Sequence, residues 1–158
     1  MATSSLINFA DDIQRLTYDL VRYNAICDRV CVDQLGVTAS QGYIILALPE
    51  ADSITMNDLS LKMKLANSTM TRMVDQLVQK KMITRGADPD DRRIVRVRLT
   101  KQGQDVQVKL KKTMQDLFAQ ILKDIPVNER EQIVRSLETL KESIVDTLKS
   151  CCGEEVAE

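Results

Sequence analysis

The sequence predicts a mainly α fold in which one charged β-hairpin interrupts a series of amphipathic helices. Three observations carry the prediction. Between residues 65 and 101, Met70, Met73, Val74, Leu77 and Val78 recur at three- and four-residue steps, the spacing of one apolar helix face. Two β-rich runs, residues 83–86 and 94–99, then flank the turn formers at 87–91. Finally, both ends of the chain carry long helical patterns with narrow apolar seams.

The elements follow in order. In residues 8–32, Phe9, Ile13, Leu16, Leu20, Tyr23, Cys27 and Val30 alternate four- and three-residue steps, a heptad seam suited to packing on another long helix. The first five residues are expected to fray. A second helix opens at Thr38, with Gln41 three positions on as a capping box. Ile44, Ile45 and Leu48 form its apolar side, and Pro49 ends it. Ser53, Ile54 and Thr55 suit a short strand against the hairpin, and Thr55 caps a third helix carrying Met56, Leu59 and Met63. A tight turn around residues 65–67 leads into the helix of Met70 to Val78, giving a helix-turn-helix. With the basic hairpin behind it, this is a winged-helix plan with a three-stranded sheet. Beyond it, Thr100 caps a helix with Val106, Leu110, Met114, Leu117 and Ile121 on one side, and Pro126 interrupts the chain. Asn128 with Glu131 is the expected cap of a last helix carrying Ile133, Leu137, Leu140, Ile144 and Leu148.

This divides the single domain into a head (35–100), a helical body (6–33 and 100–150) and a flexible tail (151–158). The three body helices carry more apolar surface than one small head can cover. An isologous homodimer, with the ends of both chains interleaved, is the expected arrangement.

Charge localises a function. Lys and Arg number 22 against 23 Asp and Glu, yet residues 62–101 hold eleven basic and four acidic residues. The segment is therefore +7 and the remainder −8, a basic face on an acidic body. The polar side of the Met70–Val78 helix begins with Ser68, Thr69, Thr71 and Arg72, at the end a recognition helix presents to the major groove. These four are candidate contacts to bases and phosphates of double-stranded DNA, and Arg72 is the candidate for specificity, since its fork matches both acceptors of guanine. The competing reading of Ser68 and Thr69 is simple N-capping. Two heads related by a two-fold axis meet successive major grooves about 10 bp apart, so the expected operator is a near-palindrome.

The segment DPDDRRIVRVRLTKQG, residues 88–103, resembles the wing signature of the MarR family of transcription regulators, and STMTRMVDQLVQKKMITR, residues 68–85, looks like that family's recognition helix and following strand. The resemblance spans roughly residues 9–148. One departure is Lys81, where such chains commonly have Gly. The resemblance implies that Arg93 enters the minor groove, that Asp91 orients it by an ion pair, and that Arg92 contacts backbone. It also implies repression relieved by a small amphipathic effector, with Tyr43 at the edge of its pocket.

Four cysteines stand apart. Cys27 and Cys31 lie one helical turn apart, and Cys151 and Cys152 are adjacent near the C-terminus. Cys27 on the seam suits a small buried hydrophobe, whereas paired thiols at both ends of an interleaved dimer suit a thiol or soft-metal sensor. The chain has no His and no zinc-finger spacing. It carries no Gly-rich phosphate loop and no nucleophile beside a base, so neither an enzyme nor a cofactor is expected. With no apolar run near the ~18 residues of a membrane span, a cytoplasmic protein is expected. The alternative function is a winged-helix protein-interaction module, which has no need of Arg92 and Arg93 flanked by Arg96 and Arg98.

Overall fold

The computed structural model describes residues 2–152. The order is α1 (Ala2–Val32), a single 3-10 turn (Asp33–Leu35), α2 (Ala39–Ala47), β1 (Ile54–Thr55), α3 (Met56–Met63) and α4 (Asn67–Gln79). Then come β2 (Ile83–Ala87), β3 (Val95–Leu99), α5 (Lys101–Leu122) and α6 (Val127–Cys152). The three strands form one antiparallel sheet in the order β1-β3-β2, with Ile83 opposite Leu99 and Ile54 opposite Val97. The expected winged helix-turn-helix with a three-stranded sheet is therefore present.

Local chemistry explains the boundaries. Thr38 accepts from the Gln41 N–H while the Gln41 side chain accepts from the Thr38 N–H, a complete capping box. Thr55 caps α3 through the Asp58 N–H, and Thr100 caps α5 through the Gly103 N–H. The end of α4 departs from the ordinary pattern. Lys81 takes a left-handed φ of 60°, its N–H bonds the Val78 carbonyl, and the Met82 N–H reaches Leu77. This is a Schellman cap with lysine at the position that favours glycine. A left-handed conformation costs a residue with a Cβ roughly 1–2 kcal/mol. Lys81→Gly should therefore stabilise the chain by about 1 kcal/mol, raising the melting temperature by about 2–4 °C in a calorimetric scan. An unchanged or lower midpoint would count against this cap.

Met82 and Lys81 also receive the start of α5: the Thr100 N–H donates to Met82 and its hydroxyl to Lys81. A Cβ on Gly103 would lie 2.0 Å from the Met82 carbonyl oxygen, so the approach of these two segments requires glycine there.

The core lies in the head. Ile44 and Ile45 of α2, Leu59 of α3, Met70, Val74 and Leu77 of α4, and Ile83 and Val97 of the sheet are fully buried, as is Leu110 of α5. Each side chain of this kind contributes roughly 1.5–3 kcal/mol by leaving water. Gln107 of α5 is buried as well, and its amide donates to the Ile45 and Leu48 carbonyls, satisfying the end of α2 and fastening it to α5.

Three expectations are corrected. Helix α1 begins at Ala2, so Ala2 to Ser5 continue the helix instead of fraying; Met1 lies outside the described residues. Asn128 is inside α6, which starts at Val127 directly after Pro126; the Pro126 carbonyl already accepts the Glu129 N–H, so the first turn closes ahead of Asn128. Cys151 and Cys152 extend α6 as its last residues, so the helix runs into the stretch expected to be a flexible tail; residues 153–158 lie outside the described part.

The seam of α1 is left uncovered within the protomer. Phe9, Leu16, Leu20, Tyr23 and Val30 are all exposed, and in α6 so are Ile133, Leu137, Ile144 and Leu148. Among the described residues, α1 enters the head's core at its C-terminal end, through Cys31 and Val32.

Candidate nucleic-acid interface

Helix α4 is held by its apolar face, and this decides which side chains remain free. Met70, Val74 and Leu77 are buried, so Ser68, Arg72 and Thr71 project outward while Thr69 is half-buried. The N-cap is Ala66, whose side chain makes no capping bond. Ser68 and Thr69 are thus in the first helical turn, and the capping explanation for them is set aside. Without a side-chain cap, the first N–H groups of α4 face solvent beside the positive end of the helix dipole. The Thr71 hydroxyl donates to the Asn67 carbonyl at 2.8 Å, which leaves its oxygen available as an acceptor and its methyl exposed. Arg72 takes part in no ion pair among the described residues.

The wing is built around Asp88, which the sequence offers only as one of the turn formers at 87–91. Asp88 is 7% exposed; one carboxylate oxygen accepts the Asp90 and Asp91 N–H groups, and the other meets the Arg96 Nε. The Arg96 guanidinium, and next the Asp90 N–H, hold the Asp88 carboxyl below the usual carboxylate range. A depressed folded-state pKa gives stability that is present above the unfolded value, about 3.9 for Asp, and is lost as pH falls through the folded one. Acidification below about pH 4 is therefore expected to loosen the wing, and Asp88→Asn to remove that part of the pH dependence. Amide exchange at Asp90 and Asp91 measures it; equal pH profiles for both proteins would oppose the assignment. The signal was legible in principle, since Asp followed by Pro after a strand is a turn former whose carboxylate bonds N–H groups two and three residues on.

Asp91 is corrected in one respect. Its carboxylate accepts from the Arg93 backbone N–H at 2.9 Å and forms no ion pair with the Arg93 guanidinium among the described residues. It shapes the loop through the main chain, and the exposed Arg92 and Arg93 side chains take part in no ion pair among the described residues. Arg85, by contrast, pairs with Asp75 of α4 at 2.5 Å and so joins strand to helix.

Wing and helix converge. A cleft of about 510 Å³ lies between them, lined by Asn67 and Thr71 of α4, Asn57 and Asp58 of α3, and Arg93 and Val95 of the wing. The structure thus brings Thr71 and Arg93 to one concave surface, while Ser68, Arg72 and Arg92 lie outside its lining.

The remaining candidates lie on the body side. The Tyr43 hydroxyl donates to the Asp28 carboxylate at 2.7 Å, and burial followed by that bond pushes the phenol's pKa up. Tyr43, Asp28 and Cys31 line a cavity of only about 10 Å³, room for a single water at most. Cys31 is buried and Cys27 half-buried, while Cys151 is exposed; the Cys152 side chain lies outside the described residues. Burial, then the nearby Asp28 and Cys27, push the Cys31 thiol up, away from the thiolate that reacts with oxidants and binds metals. No cluster of three or more potential metal ligands occurs among the described residues, and no described helix is long and apolar enough to cross a membrane.

Comparison with known proteins places this geometry. The MarR family profile matches residues 37–95, from the start of α2 to the wing. The chain is 30% identical over 148 residues to the multiple antibiotic resistance protein MarR of Salmonella typhimurium, covering 91% of this chain and 98% of that protein. It is also 30% identical over 120 residues to the uncharacterised HTH-type transcriptional regulator YsmB of Bacillus subtilis, covering 73% of this chain and 82% of the relative. Among solved structures, a mutant MarR from E. coli complexed with operator DNA superimposes with a TM-score of 0.72 at 25% identity, over 82% of this chain and 93% of the other. A MarR transcriptional regulator from Methanosarcina mazei does so with a TM-score of 0.74 at 26% identity, over 87% and 99%. Near full-length sequence likeness and a shared helix-plus-wing geometry lead to one conclusion: the chain belongs to the MarR family of transcription regulators.

Proposed function

We propose that this chain is a homodimeric repressor that reads a near-palindromic operator in double-stranded DNA and releases it in response to a small ligand or a thiol signal. In this reading, residues 35–100 are the DNA-binding head, and 6–33 with 100–150 are the dimerisation body. Ser68, Thr69, Thr71 and Arg72 meet the major groove, Arg93 the minor groove and Arg92 the backbone, with Asp91 ordering the wing loop. The observation that carries the reading is the cleft lined by both Thr71 of the recognition helix and Arg93 of the wing. It gives two DNA-directed elements one continuous surface, as a duplex spanning a major and an adjacent minor groove requires. The operator DNA in the MarR complex from E. coli supports the same partner.

The proposed dimer rests on the uncovered helices. In α6, 26 residues long, only Leu140 and Val145 of the described side chains are even half-buried. Most helical stability in water comes from tertiary packing of the apolar face. A second copy of the chain supplies that packing with the same surface it presents. Effector entry requires the small Tyr43 cavity to open, since a ligand can shift the dimer only by binding one arrangement of it more tightly.

The test is fluorescence anisotropy on an operator recovered from the DNA upstream of the chain's own gene. Arg93→Ala is expected to weaken binding at least about tenfold and to reduce the log–log salt slope by roughly 2 per dimer, one contact per protomer. Unchanged affinity and slope would remove the wing from DNA binding.

A further inference from the structure

The geometry points to Gln41 as a positioning residue that sets the angle of the recognition helix against the dimer body, and with it the half-site spacing the protein accepts. The inference rests on the operator-reading function proposed above. Gln41 is 4% exposed and sits in the first turn of α2, directly after the turn that leaves α1. A capping box needs only its bond to Thr38. Here the same amide does more. Its oxygen also accepts from Lys80 Nζ at 2.8 Å, and its nitrogen donates to the Gln76 oxygen at 3.0 Å. Lys80 Nζ donates in addition to the Gly36 carbonyl at 2.6 Å. Gly36 is the left-handed turn residue, at φ 67°, between α1 and α2.

One amide and one ammonium therefore join the exit of α1, the start of α2 and the last turns of α4. The apolar face of α4 secures it to the core, but apolar contacts are non-directional. Hydrogen bonds with defined distances fix rotation and tilt. From Gln76 back to Ser68 the helix runs about 12 Å at 1.5 Å per residue, so a tilt of about 10° at the pinned end moves the DNA-facing end by about 2 Å. Such a shift breaks a base-edge hydrogen bond, and in a two-fold dimer it occurs in both heads. The pinned end lies at the exit of α1, so the tilt is referred to the body that relates the two heads.

Duplexes preferred by the wild-type chain are first recovered from a random pool, and the spacing of their half-sites is then changed by one and two base pairs. The readout is the ratio of affinities for native and altered spacing, with thermal melting followed on each variant. Gln41→Leu is expected to flatten that ratio about tenfold, within the range by which network substitutions change coupling. Gln41→Glu keeps acceptors for Thr38 and Lys80 and can receive a hydrogen from the Gln76 amide, so it restores the preference. Lys80→Met leaves the cap intact and flattens the ratio too, and it decides the matter should Gln41→Leu lose its cooperative melting. A spacing preference in Lys80→Met and folded Gln41→Leu equal to that of the wild type overturns the inference. A wild-type chain that recovers no preferred duplex overturns the operator reading itself, and this inference with it.

Discussion

Leu16→Glu combined with Leu20→Glu is expected to separate the proposed dimer into single chains and to lower operator affinity by at least about a hundredfold. Both leucines lie on the α1 seam, 48% and 61% exposed in the protomer, and neither belongs to the head's core. Carboxylates there would have to leave water on dimerisation, opposite their own copies across a two-fold axis. The head should keep its fold, because its buried residues from Ile44 to Leu110 are untouched. Affinity falls because two linked heads bind as one unit, a gain of roughly 10²–10⁴ that independent heads forfeit. Sedimentation reads the mass and anisotropy the affinity; a double variant that stays dimeric would show that α1 is not the seam.

Arg72→Ala should have the next largest effect, and one of a different kind. A forked guanidinium on a guanine edge contributes roughly 1–3 kcal/mol of discrimination per half-site, and a palindrome contains two. The variant is therefore expected to bind the preferred operator far more weakly, while its tolerance for other bases rises at one position of each half-site. That separates it from Arg93→Ala, which should weaken binding to all duplexes and change the salt slope. Binding to a panel of single-base operator variants makes the distinction. Equal losses on every duplex would move Arg72 from base reading to phosphate contact.

Much of the fold was legible because its determinants are local. The capping box of Thr38 and Gln41, the caps at Thr55 and Thr100, and the turn formers between β2 and β3 lie within a few residues of the backbone they organise. Apolar periodicity likewise identified Met70, Val74 and Leu77 as the buried side of α4. Where two local signals competed, the reading failed: Pro126 governed the start of α6 and Asn128 did not. Ala66 as an N-cap was illegible because nothing in its side chain announces the role. The links from Gln41 to Gln76 and Lys80 cross 35 and 39 residues, and that from Gln107 to Ile45 crosses 62. Only the folded chain reveals such partners. The same holds for the shared cleft of Thr71 and Arg93, since one lies on α4 and the other in the wing loop.

The uncovered α1 and α6 faces and the two DNA-directed elements of each head make one geometric claim: a two-fold pair of heads meets one face of a duplex. Hydroxyl-radical footprinting of the preferred operator tests it most directly. The account predicts two protected clusters related by a dyad, with centres about 10 bp apart. A single cluster, or uniform protection along the duplex, would contradict it.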